Sequence, residues 1–374
     1  MPWRGVGGDD VLLEVVLIIV GFAMIIKAAD MLVDAASDLA ARFGVPDRVV
    51  GLTIVSVGTS LPELVVGISS ATTGAVDMAF GNVMGSCVAN LLLILGVTSI
   101  ITPVPLSRRT QRVEIPLSIA AFFVLLAFAN TGAEVVFWEG LVLTVLFAAF
   151  IVETAIAGLA EGKENAAAAE VAAEAGGAID AADKDVLSET DRLAKLAELK
   201  TAAGEDTTEV EAAEQEAEEA AHGRRNPLVN LGIIAVSIVL LKVGADLVVD
   251  NCTTVATALG VSERIIGVTI VALGTCLPEL VTSVVAAFRG NTDIAVGNVV
   301  GSNISNVLLV MGVPSMLATM TYDTVYNFDF AVAIVCSAAL ILFARTGEKD
   351  TMTRVNGVMF VLVYVGYLVL TAWS

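Results

Sequence analysis

The chain has 374 residues, of which 56% are hydrophobic and 16% charged, with a mean hydropathy of +0.84. Apolar runs near the ~20 residues needed to cross a bilayer recur along most of it, which excludes a soluble globular protein and points to a polytopic membrane protein. The formal net charge of −20 is unevenly spread: residues 160–226 hold 18 acidic and 7 basic residues, a net −11, so it marks one solvated segment and not a site for basic partners.

In chain order, candidate spans fall at about 11–34, 49–72, 77–101, 113–130 and 134–157, then at about 227–249, 263–288, 293–318, 328–344 and 354–373. The first contains Lys27 and Asp30 and shows no small-residue cleavage site, so it reads as a retained span and not as a signal peptide. The expected fold is an all-α polytopic membrane protein of about ten transmembrane helices, with residues 1–158 and 227–374 as its two membrane halves. Between them the Ala- and Glu-rich loop 159–226 has few aromatics and reads as largely disordered, with room for a short amphipathic helix at 183–200. It carries no calcium-loop pattern, which favours a linker over a regulatory domain. Cys87, Cys252, Cys276 and Cys336 lie in or beside apolar spans at no metal-like spacing and are expected to be free buried thiols.

The two halves echo one another. Residues 44–97 and 260–313 align without a gap at an offset of 216, with roughly half of the positions identical. GLTIVSVGTSLPE at 51–63 returns as GVTIVALGTCLPE at 267–279, and GNVMGSCVAN at 81–90 returns as GNVVGSNISN at 297–306. Five spans precede the point where the repeat begins again, so the second copy enters from the opposite face. Two inverted five-helix repeats are the signature of secondary transporters. Arg42, Arg48, Arg108, Arg109, Arg112, Arg289, Arg345, Lys349 and Arg354 fall at alternate loops, whereas the other loops hold only Arg4 and Arg264. The basic side, with the acidic loop, is therefore expected to be cytoplasmic and both termini extracellular, in the cell membrane.

A carboxylate inside a span costs on the order of 2.5–3.5 kcal/mol even on insertion scales. Glu63 and Glu279, at equivalent positions of the inverted copies, are expected to face one another near the bilayer centre. There they repel unless a cation lies between them or one takes up a proton. Pro62 and Pro278 deprive the carbonyls of Gly58 and Gly274 of their helical partners, so each motif carries a helix break. Such backbone is tolerated at that depth only where it lines a cavity or is buried in protein. Ser56, Thr59 and Ser60 add neutral oxygens beside Glu63. Ser86 and Asn90 are four apart, as are Ser302 and Asn306, so each pair shares a helix face. A row of such oxygens opposite a Glu suits a hard cation, Na⁺ or Ca²⁺. Asn82 and Asn298 are expected instead to bond backbone groups freed in the kinked neighbour, and Gly81, Gly85, Gly297 and Gly301 to permit close packing. For Lys27, Asp30, Asp34, Lys242, Asp246 and Asp250, snorkelling or local ion pairing is the expected role, ahead of gating.

These paired motifs resemble the two alpha-repeats of the sodium/calcium exchanger family, within the calcium/cation antiporter superfamily, and the resemblance covers nearly all of the chain outside the acidic loop. It implies transport and not enzymatic catalysis, cation sites clustered at midmembrane, and alternating access by sliding of spans one and six. The ligands it implies are Ser56 (through its carbonyl), Thr59, Ser60, Glu63, Ser86 and Asn90 from the first half. From the second they are Ala272 (through its carbonyl), Thr275, Cys276, Glu279, Ser302 and Asn306. Ca²⁺ would rest on Glu63, Glu279, Thr59 and Thr275, with Na⁺ shared by the two Glu. Cys276 stands where the family has Ser, and a neutral thiol is a poor ligand for a hard ion, so one Na⁺ site is expected to be weakened or rearranged. Asn306 stands where potassium-dependent branches have Asp, which implies no K⁺ requirement. The implied partners are Ca²⁺, Na⁺ and the lipid bilayer, with no cofactor, nucleotide or nucleic acid, and a monomer as the expected state.

The leading expectation is a secondary antiporter in which Na⁺ entry drives Ca²⁺ out. H⁺/Ca²⁺ exchange, in which a Glu trades its proton for the ion, is the alternative within that class; the Thr and Ser oxygens beside each Glu favour Na⁺. A passive cation channel would also want carboxylates near its pore, but the inverted layout disfavours it. An intramembrane hydrolase using Ser60 is excluded, because the one histidine, His222, lies in the loop. No P-loop is present to support ATP-driven pumping.

Overall fold

The computed structural model describes residues 8–74, 76–174, 225–261, 272–346 and 350–373. In the first half, span one is Gly8–Phe43 and span two has two arms, Asp47–Thr59 and Leu61–Thr73, bent by 41°. Span three is 76–101, span four Thr110–Gly132 and span five Phe137–Glu174. In the second half, span six is Pro227–Ala258 and span seven is described from Ala272, with arms Ala272–Thr275 and Leu277–Phe288. Spans eight, nine and ten are Thr292–Leu317, Thr324–Arg345 and Arg354–Trp373. The protein is an all-α polytopic membrane protein; among the described residues eight helices are long and apolar enough to cross a bilayer, nine with the two arms of span two taken as one. Span seven shows only its 12-residue second arm and the end of its first.

Most of the 159–226 loop, the 183–200 segment, Arg4, Arg264 and Lys349 lie outside the described residues. Span five runs on as helix to Glu174, into the acidic segment, because that stretch is built of Ala and Glu, both strong helix formers.

Spans one and six outrun their hydropathy limits. Asp30, Asp34 and Asp38 stand on one face of span one, where charge alone would end a membrane helix. They are met from elsewhere: Arg289 bonds Asp30 and also Asp34 at 3.2 Å, Arg225 reaches Asp34 at 3.3 Å, and Asn230 donates to Asp38 at 2.6 Å. Lys27–Asp30 at 3.2 Å and Lys242–Asp246 are the local pairs their spacing suggests. Spans one and six pack side by side, sharing a core of Ile25, Leu32, Leu241, Ala245 and Val248. A larger core fills the space among spans two to five and seven to ten, around Phe80, Phe122, Leu125, Ile304 and Phe330.

Inversion of the halves is written in two short antiparallel ladders. Strand β1 (Val104–Pro105) follows span three and pairs with β4 (Thr351–Met352), which precedes span ten. Strand β2 (Glu134–Val135) precedes span five and pairs with β3 (Met320–Thr321), which follows span eight. Sequence equivalence makes β3 the copy of β1 and β4 the copy of β2. Each ladder therefore joins a loop of one half to the copy of the loop at the other end of span four, which is possible only if the halves are inverted. The flanking backbone bonds repeat the relation, Leu106 N–H to the Asp350 carbonyl at 2.9 Å and Tyr322 N–H to that of Ala133 at 2.8 Å. Ala133 and Asp350, which are equivalent, both adopt φ 57°.

Candidate cation site

Each duplicated break is a single residue between two helical arms. Ser60 (φ −82°, ψ 0°) separates the arms of span two and Cys276 (φ −90°, ψ 0°) those of span seven. The prolines, Pro62 and Pro278, sit in the first turn of the second arm, where their missing N–H is harmless and their fixed φ starts the new helix. Glu63 and Glu279 therefore project from the first turn of each restarted helix, where backbone N–H groups favour an anion. Glu63 is fully buried and Glu279 is 1% exposed.

Among the described residues no hydrogen bond of normal geometry reaches the four carboxylate oxygens, Ser60 Oγ, Asn90 Oδ1 or the amide of Asn306. An unsatisfied buried polar atom costs about 1–3 kcal/mol, more for a charged one. So many together are not a packing accident; they are donors arranged for something that enters. Among the described residues no group of three or more His, Cys, Asp or Glu side chains converges, so the donor set is two carboxylates among neutral oxygens. That is the chemistry of a hard cation and not of a thiolate or imidazole metal centre.

Spans three and eight supply the opposite wall, and they do so across the halves. Thr59 of span two meets span eight, its hydroxyl donating to Asn298 Oδ1 at 3.1 Å and lying 3.4 Å from Ser302 Oγ. Cys276 of span seven meets span three, its thiol donating to Ser86 Oγ at 3.4 Å, and Thr275 Oγ1 lies 3.9 Å from the same sulfur. Asn90 and Asn306 each open a widened π turn in an otherwise α-helical span, a device that recurs at functional sites. The Ser56 carbonyl accepts from Ser60 N–H at 3.0 Å and from Thr59 Oγ1 at 3.3 Å. Ala272 opens the described part of span seven. A pocket of about 170 Å³ lined by Pro62, Val66, Asp246, Asp250, Thr275 and Pro278 reaches the two breaks alongside span six.

The sodium/calcium exchanger protein model matches residues 13–154 and 229–373, which takes in both halves and both motifs. The chain belongs to the sodium/calcium exchanger family. This exchanger is 31% identical over 369 residues to inner membrane protein YrbG of Escherichia coli (strain K12), covering 97% of this chain and 98% of the relative. It is 29% identical over 362 residues to sodium/calcium exchanger MaX1 of Methanosarcina acetivorans, covering 94% and 97%. Its fold matches the sodium-calcium exchanger NCX_Mj soaked with 10 mM Na⁺ and zero Ca²⁺, with a TM-score of 0.70 at 26% identity over 95% of this chain and 97% of that one. It is a cation/calcium exchanger of the membrane, a transporter and not an enzyme.

Two of the exchanger's site features differ from a strict duplication. Asn298 takes the expected structural role, donating to the Glu279 carbonyl at 3.3 Å and to Ser283 Oγ at 3.0 Å. Asn82, its copy, has no partner for its Nδ2, because Ser283 corresponds to Gly67, which offers no oxygen. The residue that sequence reasoning passed over is Asn303. It faces its own copy, Cys87, donating to that carbonyl at 3.3 Å, and also accepts from Asn90 Nδ2 at 3.0 Å. The available signal was that a polar side chain occurs there in one copy only. The four cysteines are free, and Cys87, Cys276 and Cys336 are buried.

Proposed function

We propose that the protein exchanges Na⁺ for Ca²⁺ across the cell membrane by alternating access, with the ions bound between the two broken spans. The observation that carries this is the set of buried oxygens on the matching motif residues of both halves that lack a partner among the described residues, with Glu63 and Glu279 among them. Glu63, Glu279, Thr59 and Thr275 would hold Ca²⁺, and Ser56, Ser60, Ser86, Asn90, Ala272, Cys276, Ser302 and Asn306 would complete the Na⁺ and Ca²⁺ sites. Two carboxylates balance one Ca²⁺ or two Na⁺. The names of the exchangers MaX1 and NCX_Mj agree with Na⁺ as the counter-ion. Residues 1–158 and 227–374 would act as the two halves of the carrier, joined by 159–226.

The loops joined by β1 and β4 adjoin Arg108, Arg109, Arg345 and Arg354, whereas those joined by β2 and β3 hold Glu134 and Asp323 and no basic residue. This supports the first face as cytoplasmic and the second as extracellular. Span one packs along Leu277–Phe288, while span six lies over both breaks, so the two access routes differ. On the Arg289 side, span one is tied to the loop between spans seven and eight by Arg289 on Asp30 and Asp34 and by Asn291 on Ser37 at 2.9 Å, while Asn291 also holds Asp47, at the start of span two, at 2.7 Å. The equivalent positions in the first half are Thr73 and Ala75, neither of which carries a charge or an amide side chain to form such a tie. Partly exposed ion pairs contribute about 0–1 kcal/mol each. Arg289→Gln should therefore lower the apparent Ca²⁺ affinity at the extracellular face and raise it at the cytoplasmic face, by about threefold each. Right-side-out and inside-out vesicles read this directly, and equal shifts at both faces would remove the tie from the access equilibrium.

The test of the function is Ca²⁺ uptake into Na⁺-loaded proteoliposomes diluted into Na⁺-free buffer, with and without K⁺, at fixed pH. Uptake that requires internal Na⁺ and ignores K⁺ is expected. Uptake that follows an imposed pH gradient and ignores Na⁺ would assign proton coupling instead. In the same assay Cys276→Ser restores a hydroxyl oxygen 3.4 Å from Ser86 and should raise apparent Na⁺ affinity several-fold, about 1 kcal/mol, with little change in maximal rate. An unchanged Na⁺ dependence would take residue 276 out of the Na⁺ site.

A further inference from the structure

The pseudo-twofold axis of the protein runs between Cys87 and Asn303. They are equivalent residues, and each bonds the backbone of the other: Asn303 Nδ2 donates to the Cys87 carbonyl at 3.3 Å, and Cys87 Sγ to the Asn303 carbonyl at 4.0 Å. Both are fully buried. The side chains are not equivalent, and the difference falls on the neighbouring asparagines. Asn303 Oδ1 accepts from Asn90 Nδ2 at 3.0 Å. An amide has one acceptor end and one donor end, so fixing Nδ2 fixes where Oδ1 points. Asn90 Oδ1 is left buried and, like the Glu63 and Glu279 oxygens, without a partner among the described residues. Asn303 is itself locked by its bond to Cys87, so the chain of bonds from axis to Asn90 has no free rotor.

The copy of this arrangement is broken. Asn306 is the equivalent of Asn90, and the residue beside it in Asn303's place is Cys87. A thiol is a weak acceptor. Among the described residues neither end of the Asn306 amide makes a hydrogen bond of normal geometry, so the weak thiol of Cys87 holds it less firmly than Asn303 holds Asn90.

We propose that Asn303 is a positioning residue for ion binding, holding Asn90 with its carbonyl oxygen toward the cations, and that its replacement by the weakly accepting Cys87 in the other half leaves Asn306 less firmly oriented and makes the two sides of the site unequal. The inference rests on the ion site proposed above. An amide free to turn presents its NH₂ to the cation part of the time. Apparent affinity falls by the fraction of molecules in the competent orientation.

The experiment uses the exchange of the two axial residues, which conserves volume and composition at the axis. Ca²⁺ exchange is measured in proteoliposomes for Asn90→Ala and Asn306→Ala, each in the native background and in the Cys87→Asn/Asn303→Cys background. In the native protein Asn90→Ala should raise the half-saturating Ca²⁺ concentration about tenfold and Asn306→Ala about threefold. In the swapped background that order should reverse, since the orienting amide now serves Asn306. Asn303→Cys alone should raise half-saturation two- to five-fold with the maximal rate per folded protein preserved. A residue that only packed the axis would lower the folded yield and leave the order of the two alanine variants unchanged. That outcome, or an unchanged half-saturation in Asn303→Cys, overturns the inference. Absence of Ca²⁺ exchange in the native protein would instead overturn the ion-site reading beneath it.

Discussion

Glu63→Gln and Glu279→Gln are each expected to abolish Ca²⁺ exchange while leaving the protein as stable as before, or more so, in the absence of divalent cations. The two halves of that result come from one cause. Each carboxylate is buried without a hydrogen-bond partner among the described residues, so in the cation-free protein it carries a desolvation cost and no compensating bond. Gln has the same shape, no charge and a smaller cost of burial. With Ca²⁺ the account inverts: one carboxylate facing a divalent ion leaves an uncompensated buried charge, a defect of about 3–5 kcal/mol, or at least 100-fold in binding. Flux assays should read a loss of at least about 100-fold. Thermal unfolding should read an unchanged or raised Tm without Ca²⁺ and the loss of the Ca²⁺-dependent rise expected of the native protein. A substantially active double variant would remove both carboxylates from the site.

Gly297→Val should prevent folding, for a reason unrelated to ions. Spans two and eight cross with their backbones nearly touching. A Cβ on Gly297 would stand 2.6 Å from the Arg48 carbonyl oxygen, 2.9 Å from Leu52 N and 3.0 Å from Gly51 Cα. All three are backbone atoms of a helix that cannot yield separately, so the whole crossing must open. Opening it moves Thr59 away from Asn298 and Ser302, whose bonds set the wall of the site. Overpacking costs 1–3 kcal/mol where side chains can shift, and about 3 kcal/mol or more is expected here. The check is the yield of monodisperse protein on size exclusion against Gly366→Val in span ten, where nothing among the described residues lies within 4 Å of the added carbon. Comparable yields for the two variants would show that the crossing is not closely packed.

The fold was legible because a bilayer forces apolar runs of fixed length and a duplication repeats its motifs at a constant offset. Glu63, Glu279 and the prolines beside them stood out for the same reason: charge and helix breaks are costly at that depth. What stayed hidden depends on partners distant in sequence. Span one extends past Asp34 because Arg289 and Arg225 neutralise it, a pairing no local window contains. The crossing of Thr59 to span eight and of Cys276 to span three follows from how the inverted halves interlock, not from either motif. The unlike fates of Asn82 and Asn298 turn on Gly67 against Ser283, a difference visible in the alignment but mute until the side chains are placed.

The two short ladders decide which parts of the molecule form its stator. Spans three, four and five, and spans eight, nine and ten, all run directly into β1 to β4. Each ladder stitches one half to the other, and the stitches lie at opposite ends of span four. A hinge between the halves would have to tear backbone bonds at both ends at once. The duplication has therefore not made a pair of jaws. It has made a frame clamped top and bottom, and spans one and six, packed on each other and outside both clamps, are the parts that the alternating access proposed above would move past it.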